Sequence, residues 1–77
     1  MALKVGVVGI RGIGQRHAEC HAADELADLV AVCDLVKERA DETAEKHGVK
    51  SYGSLADMLA NEELDIVDVC TGGPENG

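Results

Sequence analysis

The sequence predicts an α/β fold, a Rossmann-like parallel sheet with helices on both faces in the order β-α-β-α-β-α-β, on three observations. Short apolar runs alternate with stretches of helical spacing along the whole chain. Those runs are continuous and β-branched rather than alternating, as strands buried on both faces require. The connections are short, and parallel neighbours need an intervening helix to return the chain. The predicted strand order is 3-2-1-4, which places the last strand at an edge.

Lys4-Val5-Gly6-Val7-Val8 reads as the first strand, and a helix is predicted from about Gly12 to Ala23. Gly14, Ala18 and Ala22 recur at i, i+4 and i+8, a stripe of small residues that lets a helix axis approach a sheet. Leu29 to Cys33 is the second strand, closed by Asp34. Val36 to His47 then carries helical spacing, with Val36, Ala40 and Ala44 on one face, a Glu42–Lys46 pair and Gly48 as the C-cap. Val49 to Tyr52 is a short third strand. Ser54 is a good N-cap for a helix from Leu55 to about Asn61, whose Leu55, Met58 and Leu59 are expected to face inward. Ile66 to Cys70 is the fourth strand, and residues 71–77 are loop-forming. An apolar strand at an edge is a pairing hazard, so the sheet reads as incomplete and the edge as a route to a homo-oligomer.

Composition narrows the function. Seven Lys plus Arg against fifteen Asp plus Glu give a net charge of −8, which disfavours nucleic acid and anionic membranes. In 77 residues the core must come from Leu, Val, Ile and Ala around one aromatic residue, Tyr52. No apolar stretch approaches the roughly 18 residues of a membrane span, and the opening residues do not resemble a secretory signal, so the chain is read as cytoplasmic. Cys20, Cys33 and Cys70 are widely spaced and odd in number, fitting neither a disulfide framework nor a paired zinc motif. They are expected to be reduced, at least two of them in the core.

Gly9-Ile10-Arg11-Gly12-Ile13-Gly14 lies where the first strand hands over to a helix. In that context glycines permit a sharp turn and close helix packing, and the free N–H groups of the first helical turn offer a site for a pyrophosphate. Asp34, about twenty residues further on at the end of the next strand, suits a carboxylate that accepts hydrogen bonds from a ribose. Arg11 brings both a Cβ and a long cation; it either obstructs the phosphates or pairs with them. A carboxylate at Asp34 repels a 2′-phosphate, and Leu35 and Val36 place no cation beside it, although Lys37 has the reach to swing back. NAD is therefore expected over NADP.

Lys4 to Gly9, Gly12-Ile13-Gly14-Gln15-Arg16-His17-Ala18, Val30 to Asp34 and Asp65 to Thr71 together resemble the Gfo/Idh/MocA family, the glucose-fructose oxidoreductase and inositol dehydrogenase family. The resemblance implies that residues 1–77 are the N-terminal portion of a dinucleotide-binding Rossmann domain, followed by a substrate domain absent from this chain. It implies an NAD(P)-dependent oxidoreductase acting on a sugar or polyol. Gly9, Gly12 and Gly14 match the family's glycine turn, Asp34 its ribose acid, and Thr71 the threonine near the nicotinamide side. Arg11 stands at the middle glycine, and Gly72-Gly73-Pro74 replaces the commoner Pro-Asn pair. No catalytic residue is carried over, because the family's Glu-Lys-Pro segment falls beyond Gly77; alone, the chain is expected to be inactive. The competing expectation is a stand-alone nucleotide-sensing module.

His17, Cys20 and His21 share one helix face at i, i+3 and i+4, a spacing that suits zinc, but no fourth ligand is evident and no metal is expected. Asp68 is a polar residue in an apolar strand and needs a cleft, a helix N-terminus or another partner. Cys33 and Cys70 end two strands where ligands of such sheets gather, without a neighbouring base in sequence, and are read as core.

Overall fold

The computed structural model describes residues 2–10 and 12–70, and the side chain of Ile13 also lies outside the described set. Seven elements follow the predicted order: β1 (Leu3–Val8), α1 (Ile13–Ala23), β2 (Ala27–Cys33), α2 (Lys37–His47), β3 (Lys50–Tyr52), α3 (Leu55–Asn61) and β4 (Ile66–Val69). The four strands form one parallel sheet in the order β3-β2-β1-β4, as the sequence predicts.

Each face of the sheet carries its own core. Val5, Val7, Leu29 and Val32 pack with Ala18 of α1 and with Ala40 and Ala44 of α2. Val8, Ala31 and Cys33 pack with Met58 of α3 on the other face. Strict alternation does not place Leu29 and Val32 on one side. The β1–β2 register explains it: Val5 is opposite Leu29 and Gly6 opposite Ala31, so Val30 is an extra residue that shifts the pleat by one.

The helix ends obey local chemistry. Gly48 closes α2 in the left-handed conformation (φ 69°), and its N–H reaches the carbonyls of Ala44 and Glu45. The Ser54 hydroxyl accepts from the Asp57 N–H at the start of α3.

Several expectations are corrected. In α3 only Met58 is buried; Leu55 and Leu59 are exposed, because one short helix meets the sheet through a single residue and Leu64 fills the space beside it. Val36 is the exposed N-cap of α2, and Ala22 is also exposed, so both small-residue stripes are shorter than predicted. Lys46 bonds Glu19 of α1 at 2.9 Å instead of Glu42, while Lys37 and Asp41 form the i,i+4 pair of α2. Of the cysteines only Cys33 is fully buried; Cys20 is exposed and Cys70 partly covered, all three being free thiols. At the β4 edge Ile66 and Val69 are exposed. Among the described residues no helix is long and apolar enough to cross a membrane.

Tyr52 ends β3 against the second core, and its hydroxyl donates to the Glu62 carboxylate at the C-cap of α3. That hydrogen bond, with burial and the negative charge of Glu62, pushes the phenol up to about 12. A raised folded-state pKa gives stability that is complete below pH 10 and is lost as pH rises toward 12. Tyr52 is the only tyrosine, so ultraviolet phenolate absorbance reports it alone. The native chain should titrate near pH 12 and the urea-unfolded chain near 10. Glu62→Gln should lower the native midpoint toward the unfolded one; an unchanged midpoint would rule out the Glu62 contact.

Candidate functional site

At the carboxyl end of β1 the chain turns through Gly9 (φ 83°) and enters α1 at Gly12, whose φ of 57° and ψ of −110° are open to glycine alone. The Gly9 N–H donates to the Cys33 carbonyl at 2.8 Å, tying the turn to the end of β2. Gly14 lies against this turn. A Cβ there would fall inside the Gly9 carbonyl oxygen and 2.7 Å from its carbon, so helix and turn meet backbone to backbone. Gly12 caps α1 without a side-chain hydrogen bond, and the first turn of α1 holds no acidic residue. The helix therefore presents its positive end and uncapped N–H groups, with no carboxylate competing for them. Arg11 and Thr71, with Gly72-Gly73-Pro74, lie outside the described residues.

Asp34 stands just beyond β2 and is buried, its side chain only 8% exposed. One carboxylate oxygen accepts from the Ile10 N–H at 3.1 Å and the other from the Val36 N–H at 2.8 Å. The acid thus bridges the glycine turn and the entry to α2. Arg39 also reaches it, with Nη1 at 3.3 and 3.4 Å from the two oxygens. This corrects the expectation that no cation lies beside Asp34. Lys37, the cation with the reach to swing back, is held by Asp41 and Ser51. The signal for Arg39 was its place in the first turns of a helix that starts three residues after the acid. Gln15, in the first turn of α1, donates to the buried Thr43 hydroxyl of α2 at 2.6 Å and locks the two helices together behind the site.

A second cluster lies deeper along α1. His17 Nδ1 and His21 Nε2 both contact one oxygen of Asp68, at 2.7 and 2.9 Å. The Cys70 Sγ is 3.3 Å from His17 Nδ1 and 3.4 Å from the other Asp68 oxygen. Asp68 therefore finds its partners on the side of a helix, not in a cleft or at a helix N-terminus. Burial pushes its carboxyl up, but hydrogen bonds from His21, His17 and Cys70 outweigh that and hold it below the usual value. Burial and the Asp68 carboxylate raise the Cys70 thiol to about 11, and burial also raises Cys33. Both are protonated at neutral pH. The exposed Cys20 takes no part in the cluster.

The family described as "Oxidoreductase family, NAD-binding Rossmann fold", Gfo/Idh/MocA, matches residues 3–76, and the chain belongs to it. An inositol 2-dehydrogenase from Rubrobacter xylanophilus is 36% identical over 73 residues, covering 94% of this chain and 21% of that protein. The crystal structure of myo-inositol 2-dehydrogenase from Lactobacillus plantarum superposes with a TM-score of 0.86 at 25% identity, over 96% of this chain and 22% of the other. Scyllo-inositol dehydrogenase from Lactobacillus casei, solved with NAD(H) and scyllo-inositol, gives 0.85 at 26% identity, over 94% and 22%. The chain thus spans about one fifth of the length of the curated relatives it matches.

The two buried glycines differ in what surrounds them. A Cβ on Gly14 meets backbone, whereas one on Gly6 meets only Leu64 Cδ1 at 2.7 Å and the Met58 methyl and sulfur at 2.9 and 3.0 Å, all ends of flexible side chains. Gly14→Ala should cost about 3 kcal/mol or more, at or beyond the upper end of overpacking penalties. The thermal midpoint should fall by roughly 12 °C or more. Gly6→Ala should stay within about 1 kcal/mol of wild type. Thermal melts of the two variants check the contrast.

Proposed function

We propose that this chain is the adenosine- and pyrophosphate-binding portion of an NAD-dependent oxidoreductase that acts on a hydroxyl or keto group of a polyol or sugar, with the substrate domain supplied by further sequence. The observation that carries the reading is the Asp34 carboxylate bonded to the Ile10 N–H of the glycine turn. It joins the turn and the acid, the two parts of a dinucleotide site, in one place.

The residues fit the cofactor. The uncapped N–H groups at Ile13 and Gly14 receive the pyrophosphate, and Gly9 and Gly12 let its oxygens approach the backbone. Asp34 is already held by two backbone donors, yet a carboxylate offers about four lone-pair positions and has room for ribose hydroxyls. Arg39 makes the longest contacts to Asp34 and is the group a ribose displaces. Arg11 and Thr71 complete the proposed set on the pyrophosphate and nicotinamide sides. Bound NAD supplies the hydride acceptor or donor. We assign no catalytic residue to these 77 residues. The polyol reading rests on the relatives named inositol dehydrogenases.

Asp34 also sets the preference for NAD. Its charge repels a 2′-phosphate and neutralises Arg39, the cation beside it among the described residues. Calorimetric titration with NAD and NADP tests this. Asp34→Ala should weaken NAD at least tenfold, as loss of charged hydrogen bonds worth about 1.5–3 kcal/mol requires. NADP should weaken less because Arg39 is freed. Asp34→Asn, which keeps an acceptor for the backbone, guards against misfolding, and adding Arg39→Met to Asp34→Ala should remove the gain for NADP. Equal loss of both cofactors would take Asp34 out of the ribose contact. For Arg11→Gly, tighter NAD binding means that Arg11 obstructs and weaker binding that it pairs with phosphate.

A further inference from the structure

The cluster on the sheet-facing side of α1 is not used by the dinucleotide reading. His17 and His21 are one helical turn apart, and Asp68 and Cys70 alternate along β4 and its extension, so each pair projects to one side of its element. Packing α1 on the sheet brings the pairs together. Among the described residues, His17, Asp68 and Cys70 place their ligand atoms within 4.8 Å of one another; His21 lies outside that group and meets it only at the Asp68 oxygen, 2.9 Å away, so its ring must move inward to complete a shell. We propose that His17, His21, Asp68 and Cys70 form a zinc(II) site that clamps α1 to β4.

Zinc bonds of about 2.0–2.3 Å to nitrogen, oxygen and sulfur set tetrahedral edges of roughly 3.4–3.6 Å between ligand atoms. The Cys70–His17 contact, at 3.3 Å, already has nearly this spacing, while the 3.4 Å contact of Cys70 is to the Asp68 oxygen that the histidines do not touch. The His–Asp contacts of 2.7 and 2.9 Å are those of hydrogen bonds, and they open by roughly 0.5–0.9 Å when a metal takes the protons' place. The donor set of two imidazoles, one carboxylate and one thiolate suits zinc and its surrogate cobalt(II). On binding, the Cys70 S–H bond breaks, a metal–sulfur bond forms and the proton goes to solvent. The imidazoles bind as neutral ligands, His17 through Nδ1 with its proton on Nε2, and His21 through Nε2 with its proton on Nδ1, any further proton going to solvent. Two anionic ligands then balance the dication. Four side chains fill the shell, which makes the site structural.

The ligand set differs from the one that helical spacing suggests. Cys20 lies between the two histidines in sequence but is exposed, and Cys70 arrives from the strand instead. The test is to titrate the reduced, chelator-treated chain with cobalt(II). One equivalent should produce the intense visible bands of four-coordinate cobalt and a near-ultraviolet thiolate charge-transfer band, both discharged by one equivalent of zinc(II). Cys70→Ser should abolish the charge-transfer band. His17→Gln and His21→Gln should each weaken binding at least tenfold, and Cys20→Ser should change it less than twofold. Far-UV circular dichroism checks that each variant folds, and the wild-type titration decides the matter even if one does not. Only the weak spectrum of hydrated cobalt at one equivalent would overturn the site, as would a charge-transfer band that survives Cys70→Ser or disappears in Cys20→Ser.

Discussion

Helix α1 can lie against the end of β1 only because Gly14 has no side chain. Its Cα faces the Gly9 carbonyl where a methyl group would overlap it. This contact fixes where the helix starts and how close its axis comes to the sheet. Ala18 is then fully buried one turn later, Gln15 meets Thr43 of α2, and His17 and His21 hang over β4. Moving the helix away to make room for a side chain would disturb all of these together, since packed interfaces have little free volume to absorb a shift.

Asp34 plays a comparable part between turn and second strand. A buried carboxylate in a chain of charge −8 is costly unless donors surround it, and here two backbone N–H groups and a guanidinium do so. The backbone donors are the shorter contacts and belong to the fold itself, so the acid keeps its orientation whether or not Arg39 remains. In the proposed site an arriving ribose would exchange one side-chain partner while the carboxylate stayed aimed. Such preorganisation lowers the cost of binding.

What the sequence revealed followed the range of the interactions involved. Gly48 and Ser54 were readable because a cap depends on neighbours within a few residues, and the strands because both faces of the central sheet demand unbroken apolar runs. The parallel pairing followed from connection length and the order from the doubly wound pattern, and both are observed. The extra residue at Val30 was hidden, since a continuous Leu-Val-Ala-Val-Cys run carries no alternation for a bulge to interrupt. Leu55 and Leu59 misled because periodicity gives a helix its apolar face without saying how much sheet there is to cover it. Of the candidate site, the glycines and Asp34 were visible as a spaced motif. Arg39 lies only five residues after Asp34 and was a local contact left unread, whereas the Asp68 cluster depends on tertiary approach: Cys20 is near His17 in sequence and Cys70 near it in space.

The two clusters meet through α1, and their order along it matters. The N-terminal turn of the helix serves the glycine site, while the next two turns carry His17 and His21 onto Asp68 and Cys70. Among the described strands β4 pairs with β1 alone, and the His17 and His21 contacts to Asp68 add a tie from α1 at the sheet edge. The tie acts in both directions. It steadies an edge strand whose outer residues are exposed, and it resists any tilt of α1 that would swing its N–H groups off the turn. Hydrogen bonds between the imidazoles and the carboxylate supply part of that resistance and yield readily to water at a half-exposed histidine such as His17. A coordinated dication would supply more, because releasing the helix would then require breaking two metal–nitrogen bonds as well as resolvating the carboxylate.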